Sequence, residues 1–231
     1  RVRGFEALLR WQHPSVGDVP PGLFLPLLEE ATLISRLGSW IYHRSAGQRK
    51  AWEAEFSKDL VIGVSLSNTQ FGLPNLVTEL RQVLERHGLQ PHQMEVEVTE
   101  EALTINPDET RKQLKLLRNL GVRVALDDFG SGACSLAHLR DLELDTLKLD
   151  RHLIARLPDS SRDASLVRTV IDLCKEYGLL VIAEGVETVE QYQWLQAHGC
   201  QYVQGFLVAR PLVAEDTARF TEPFDWSALA G

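Results

Sequence analysis

Val122-Arg123-Val124-Ala125-Leu126-Asp127-Asp128-Phe129-Gly130-Ser131-Gly132 is the stretch whose reading decides the fold. Val122, Val124 and Leu126 favour strand and read as a buried one. The strand runs directly into two adjacent carboxylates and then into a glycine turn. Neighbouring like charges at a strand end repel unless a cation neutralises them. Hard carboxylate oxygens suit Mg²⁺ or Mn²⁺. Taken alone, the Asp pair reads better as a solvated acidic turn, so the rest of the chain has to decide.

Outward from this strand the chain alternates. Before it come a short strand over Gly4–Arg10, a Pro/Gly loop over His13–Gly22, and helices over Phe24–Thr32 and Ile34 to about Glu55. A strand at Leu60–Leu66, a helix at Asn75–His87 stopped by Gly88, a strand at Gln93–Val98 and a helix at Pro107–Leu120 stopped by Gly121 lead up to it. After it come strands at Leu144–Leu149, Leu179–Ala183 and Tyr202–Gln204, with helices at Ala164–Tyr177 and Thr188–His198. The tail from Val213 contains a short helix. Alternation of apolar strands with helices predicts an α/β fold with a parallel sheet covered by helices.

An open doubly wound sheet lacks support, because no glycine-rich phosphate loop follows the first strand. A modified (β/α)8 TIM-type barrel fits better. Glu6, Ser65, Glu97, Asp127, Lys148, Glu184 and Gln204 all fall at or near strand ends, which converge on one face of such a barrel. About seven strands are legible by periodicity, so the first strand is expected to be missing from the chain. The opening at Arg1 without an initiator Met points the same way, to a single domain over residues 1–231 cut from a longer multidomain protein.

Composition narrows the function. At 231 residues, 44% hydrophobic and 24% charged, the chain has enough apolar content for one sizeable core. A net charge of −8 disfavours a nucleic-acid polymer as partner. No apolar run reaches membrane-spanning length, so no direct membrane contact is expected. Three cysteines without paired spacing indicate a reduced, cytoplasmic setting, which includes the cytoplasmic domain of a membrane-anchored protein. Cys134 has no neighbouring base to activate it. The seven histidines show no ligand-like spacing and read as surface or loop residues, and Trp40, Trp52 and Trp194 read as core.

The chemistry lies in the converging acids. Glu6, Glu97, Asp127, Asp128, Glu184 and Glu187 cannot share one face ionised without cations among them. Two divalent ions about 3.5–4 Å apart, bridged by one carboxylate, are the usual arrangement for displacement at phosphorus. Asp127, first out of its strand, is the expected bridge. Lys148 supplies a positive charge to orient water or stabilise phosphoryl oxygens, and Arg10 is placed to hold a phosphate bidentately. Gln204 reads either as a core amide or as a ligand contact. A barrel aldolase using Lys148 as Schiff base is disfavoured, because the carboxylates would keep the amine protonated.

With these residues in place, the chain resembles the EAL-domain family of bacterial cyclic di-GMP phosphodiesterases. The resemblance rests on Glu6-Ala7-Leu8-Leu9-Arg10-Trp11, Phe24-Leu25-Pro26 through Glu29-Glu30, Glu97-Val98-Thr99-Glu100, the Asp127–Gly132 segment, Lys148-Leu149-Asp150-Arg151, Ala183-Glu184-Gly185-Val186-Glu187-Thr188 and Val203-Gln204-Gly205. It implies hydrolysis of cyclic di-GMP to linear pGpG with Mg²⁺ or Mn²⁺, two ions in all. Glu6, Glu97, Asp127 and Asp128 would be metal ligands, Lys148 and Glu184 would handle the attacking water, and Glu187 would lie close to the second metal. Arg10, Leu9 and Gln204 would bind substrate. Glu100 would brace the Phe129-Gly130-Ser131-Gly132 turn, which in the family couples homodimerisation to metal binding. One departure matters: the family's Asn-Leu-Ser, whose Asn ligates metal, is here Ser65-Leu66-Ser67. A hydroxyl is a shorter, weaker donor, and its loss of reach implies weakened activity. The alternative it raises is a catalytically silent cyclic di-GMP receptor.

Overall fold

The computed structural model describes residues 1–105, 107–131 and 142–221. Seven strands form one parallel sheet: β1 Gly4–Glu6, β4 Val61–Ser65, β5 Met94–Thr99, β6 Arg123–Phe129, β7 Thr146–Leu149, β8 Leu180–Ala183 and β9 Tyr202–Val203, hydrogen-bonded in that order. Every pairing is parallel. The strand interiors are almost wholly buried because helices cover their outer face.

Helices α1 Pro21–Glu30, α2 Ile34–Ala51, α3 Asn68–Phe71, α4 Leu76–His87, α5 Glu100–Ile105, α6 Pro107–Leu120, α7 Arg151–Ile154, α8 Ser161–Glu176 and α9 Val189–Ala197 occupy the connections. In α4, Leu76, Leu80, Val83 and Leu84 recur at helical spacing and are buried on one stripe, which the strands accept. Burial of each such side chain is worth about 1.5–3 kcal/mol. Leu80→Ala in this stripe would cost about 2–5 kcal/mol by leaving a cavity. The helix stops at Gly88, whose φ of 65° suits a residue without Cβ.

The sheet curls into a half-barrel whose two edges are bridged by side chains. Arg3, just before β1, donates to Glu95 on β5 at 2.7 and 2.9 Å and to Thr146 on β7 at 3.0 Å, while its guanidinium lies 5.7 Å from the Tyr202 ring of β9. At the other end of the strands Gln204 donates to Glu6 at 2.7 Å, again joining β9 to β1. β1 and β9 share no backbone pairing. Side chains span that gap.

Three expectations need correction. The first strand ends at Glu6 rather than running to Arg10, and what reads as a Pro/Gly loop contains an antiparallel hairpin, β2 Trp11–His13 with β3 Gly17–Val19. Its strands carry only three residues each, too few for alternation to register. Trp40 is 56% exposed and not core, whereas Trp52 is buried and Trp194 is half-buried, stacked on His198 at 3.9 Å. Trp40 falls on the outward side of α2, away from the buried Tyr42 and Ala46 stripe. Cys134, His138, Gly132 and the tail beyond Thr221 lie outside the described residues.

Candidate active site

Strand periodicity assembles the site. Glu95 and Glu97, two apart on β5, face the same side, inside the curl; Glu97 is the one nearer the strand's C-terminal end. Gly63, opposite Glu6 and Glu95 on β4, leaves room for it: a Cβ there would lie 2.2 Å from Glu97 Oε1. Lys148 enters from β7 and is 2% exposed. Its Nζ lies 2.8 Å from Glu97, 2.8 Å from Glu184, 3.0 Å from Asp127 and 3.4 Å from Glu6. One ammonium thus serves four carboxylates drawn from β1, β5, β6 and the end of β8.

Two successive residues of a regular strand point to opposite faces. Asp127 and Asp128 escape this rule because the pairing of β6 with β7 is irregular between Leu126 and Phe129, and Asp128 adopts φ 54°. This bulge turns the second carboxylate back toward the first. Asp127, Asp128 and Glu184 consequently each offer an oxygen within 4.8 Å of the others. The donors are all hard, anionic oxygens, which fits a divalent Mg²⁺- or Mn²⁺-type ion.

The electrostatics agree. Burial pushes Glu97 up to about 8, with Glu6 and Asp127 adding repulsion against the pull of Lys148. Burial also pushes Glu184 up to about 7, again opposed by Lys148. Asp128 is raised by burial and then by Asp127 and Asp150. Burial alone would lower Lys148, but Glu97, Glu6, Asp127 and Glu184 outweigh it and hold the amine well above its ordinary value. A permanently protonated amine is no Schiff-base nucleophile, which removes the aldolase reading. It is instead the internal cation of an acidic ring that has capacity for more positive charge.

Ser65 sits at this rim. Its hydroxyl donates to Glu97 Oε2 at 3.1 Å and faces Glu6 Oε1 at 3.5 Å. Arg10 is exposed and folds its guanidinium onto the Leu9 carbonyl at 2.8 Å. Glu187 is exposed beyond Glu184 and outside the close acidic group; its N–H donates to Gln191. Glu100 is buried and accepts from the Gly130 N–H at 2.8 Å.

Sequence reasoning missed Asp150. It lies two residues beyond Lys148, which is the spacing that returns a strand-end side chain to the same side. Asp150 is buried, accepts from the His152 N–H at 2.7 Å, and adds to the negative charge that raises Asp128. His43 and His87, expected as surface or loop residues, are instead part-buried on α2 and α4, where their rings face each other at 3.2 Å.

Comparison with known proteins fits this geometry. The EAL domain family model matches residues 1–211. The bifunctional diguanylate cyclase/cyclic di-GMP phosphodiesterase MucR of Pseudomonas aeruginosa is 41% identical over 212 residues, 92% of this chain and 31% of that protein. The cyclic di-GMP phosphodiesterase NbdA of the same organism is 38% identical over 98% of this chain and 29% of its own length. The chain therefore spans about a third of the curated relatives it matches. Among solved structures, the PaMucR phosphodiesterase in complex with c-di-GMP superposes with a TM-score of 0.87 at 40% identity, covering 93% of this chain and 87% of that one. Klebsiella pneumoniae BlrP1, in a manganese and cyclic di-GMP complex, gives 0.81 at 32% identity, covering 93% and 53%. The parallel sheet, the acidic ring and these matches together place the chain in the EAL domain family.

Proposed function

We propose that this domain is a metal-dependent phosphodiesterase that opens cyclic di-GMP to linear pGpG. The observation that carries the reading is the ring of Glu6, Glu97, Asp127 and Glu184 around Lys148 Nζ, with Asp128 swung in beside Asp127 and Glu184. Glu6, Glu97, Asp127 and Asp128 would hold two Mg²⁺ or Mn²⁺ ions, with Ser65 reaching one of them through water. Bound there, the ions would supply the Lewis-acid charge that displacement at phosphorus requires. Lys148 contributes a fixed positive charge beside the phosphoryl oxygens. Glu184, with a carboxyl near neutrality, is suited to take a proton from the attacking water. The water oxygen forms the new P–O bond, the P–O3′ bond breaks, and the 3′ oxygen leaves as a hydroxyl. Arg10, Leu9 and Gln204 bind substrate, with Arg10 on a phosphate, and Glu187 stands near the second ion.

Glu100 and the Phe129–Ser131 turn would pass metal occupancy to a homodimer contact. The domain would work in the cytoplasm as one unit of a longer protein, alone or tethered to the membrane by attached parts. No helix among the described residues is long and apolar enough to cross a membrane.

Incubation with cyclic di-GMP and Mn²⁺ should release pGpG, and Asp127→Ala should abolish release. No turnover at any Mn²⁺ concentration, with turnover restored by Ser65→Asn, would refute native activity. The Ser65 hydroxyl bonded to Glu97 favours one second reading, a receptor that binds cyclic di-GMP and transmits its presence. Binding in EDTA without hydrolysis in Mn²⁺ would select it.

A further inference from the structure

We propose that Glu29 is a positioning residue for the Ser65–Ser67 rim of the site, acting from α1 through the Ser67 hydroxyl; the inference rests on the phosphodiesterase reading above. Glu29 stands where its charge gains nothing locally. α1 carries Glu29 and Glu30 at its C-terminal end with no basic residue in the last turn, and that end of a helix favours cations. A side chain that breaks a local rule is expected to be compensated elsewhere in the fold. The compensation lies 38 residues away, where the Ser67 hydroxyl donates to Glu29 Oε1 at 2.9 Å in part-buried surroundings.

Ser67 is where this part of the site is pinned. Its hydroxyl gives its one proton to Glu29 and still accepts the Gln70 N–H at 3.3 Å, which caps α3. The Ser67 N–H donates to Gln70 Oε1 at 3.0 Å. From Ser67 to the acidic ring is a short step along the chain. The Leu66 N–H donates to the Glu97 carbonyl at 3.0 Å, and the Ser65 hydroxyl donates to Glu97 Oε2 at 3.1 Å. The rim therefore grips Glu97 at both its main chain and its carboxyl, and Glu29 holds the rim. Nearer the start of α1, Phe24 is the helix's one buried residue and packs edge-on to Trp11 at 5.4 Å, directly after Arg10. One helix thus reaches from the Arg10 segment to the Ser65 rim, and the Glu29 bond fixes its far end.

Glu29→Ala removes the acceptor, while Glu29→Gln keeps an oxygen in the same place without the charge. Direct Mn²⁺ binding to the purified protein, followed by the loss of the free-ion electron paramagnetic resonance signal, separates the outcomes. Groups that orient ligands from behind commonly carry about 10–100-fold in metal affinity. Glu29→Ala should weaken Mn²⁺ binding about 10-fold, and Glu29→Gln should bind within about 3-fold of wild type. Glu29→Ala combined with Ser67→Ala should bind no more weakly than the weaker single variant, because both remove the same bond. A lower melting temperature in EDTA with unchanged Mn²⁺ affinity in Glu29→Ala would mark a merely structural contact and overturn the inference. Glu29→Gln as weak as Glu29→Ala, or losses that add in the double variant, would overturn it too. If the wild type binds Mn²⁺ and cleaves cyclic di-GMP while Glu29→Ala is unchanged, only the inference fails. If the wild type binds Mn²⁺ without cleaving, the phosphodiesterase reading fails and the Mn²⁺ affinities still decide the inference. If the wild type binds no Mn²⁺, both fail.

Discussion

Lys148→Met offers the sharpest test of how the acidic ring is held together. The ammonium is 2% exposed and has four carboxylates within 3.4 Å. Methionine fills a similar volume without the charge, so packing is nearly preserved while the carboxylates lose their cation. Breaking a buried pair from one side costs about 3–5 kcal/mol. In a domain of this size each kcal/mol shifts the melting temperature by about 2–4 °C, so a fall on the order of 10 °C is expected in EDTA at pH 8. The sign follows from linkage. Lys148 is held above its unfolded value, so its contribution is intact throughout the neutral range and is lost only as pH rises through the folded value. The variant's penalty instead comes from ionised carboxylates, and it shrinks as acid protonates them. At pH 5 the difference between variant and wild type should be much smaller than at pH 8. A melting temperature within 2 °C of wild type at pH 8 in EDTA would refute the account of Lys148 as the ring's internal cation.

Three other outcomes follow from particular contacts. Wild-type stability in EDTA should fall as pH rises from about 4.5 to about 8: Glu184 and Glu97 are raised to about 7 and about 8, so the native state holds protons that the unfolded chain has released, and a flat urea-midpoint profile over that window would contradict the shifts. Gly63→Ala should expel the Glu97 carboxylate from its place, since the added Cβ meets Oε1 at 2.2 Å; loss of Mn²⁺ binding by calorimetry is the readout, and unaltered binding would count against Glu97 as a ligand. Thr32, two residues past the end of α1, has φ 56°, strained for a β-branched residue, so Thr32→Gly should stabilise the fold by about 1 kcal/mol in chemical denaturation.

Much of this site was legible because barrel strands alternate. Glu6, Glu97, Asp127, Lys148 and Glu184 sit at strand ends, and period two with parallel pairing delivers them to one face. What pattern could not reveal was how Asp128 joins them. Adjacent strand residues should diverge, and only a bulge with a left-handed residue reconciles the pair. Hairpin β2–β3 escaped because three-residue strands carry no period. Arg10 was placed on a strand that in fact stops at Glu6, since continued apolar residues at Ala7, Leu8 and Leu9 imitate one. Trp40 shows the converse error, an apolar residue that helical spacing alone assigned to the core although it falls on the exposed side of α2. Asp150 stands in a motif the sequence analysis quotes but was given no role, since it lies one residue past the end of its strand.

The most direct test of the central claim is a turnover assay with purified protein, cyclic di-GMP and a Mn²⁺ titration, run beside Asp127→Ala and Ser65→Asn. The account predicts pGpG as product, saturable dependence on Mn²⁺, no product from Asp127→Ala, and half-saturation at lower Mn²⁺ in Ser65→Asn. Cyclic di-GMP recovered intact at every Mn²⁺ concentration from the wild type would contradict it.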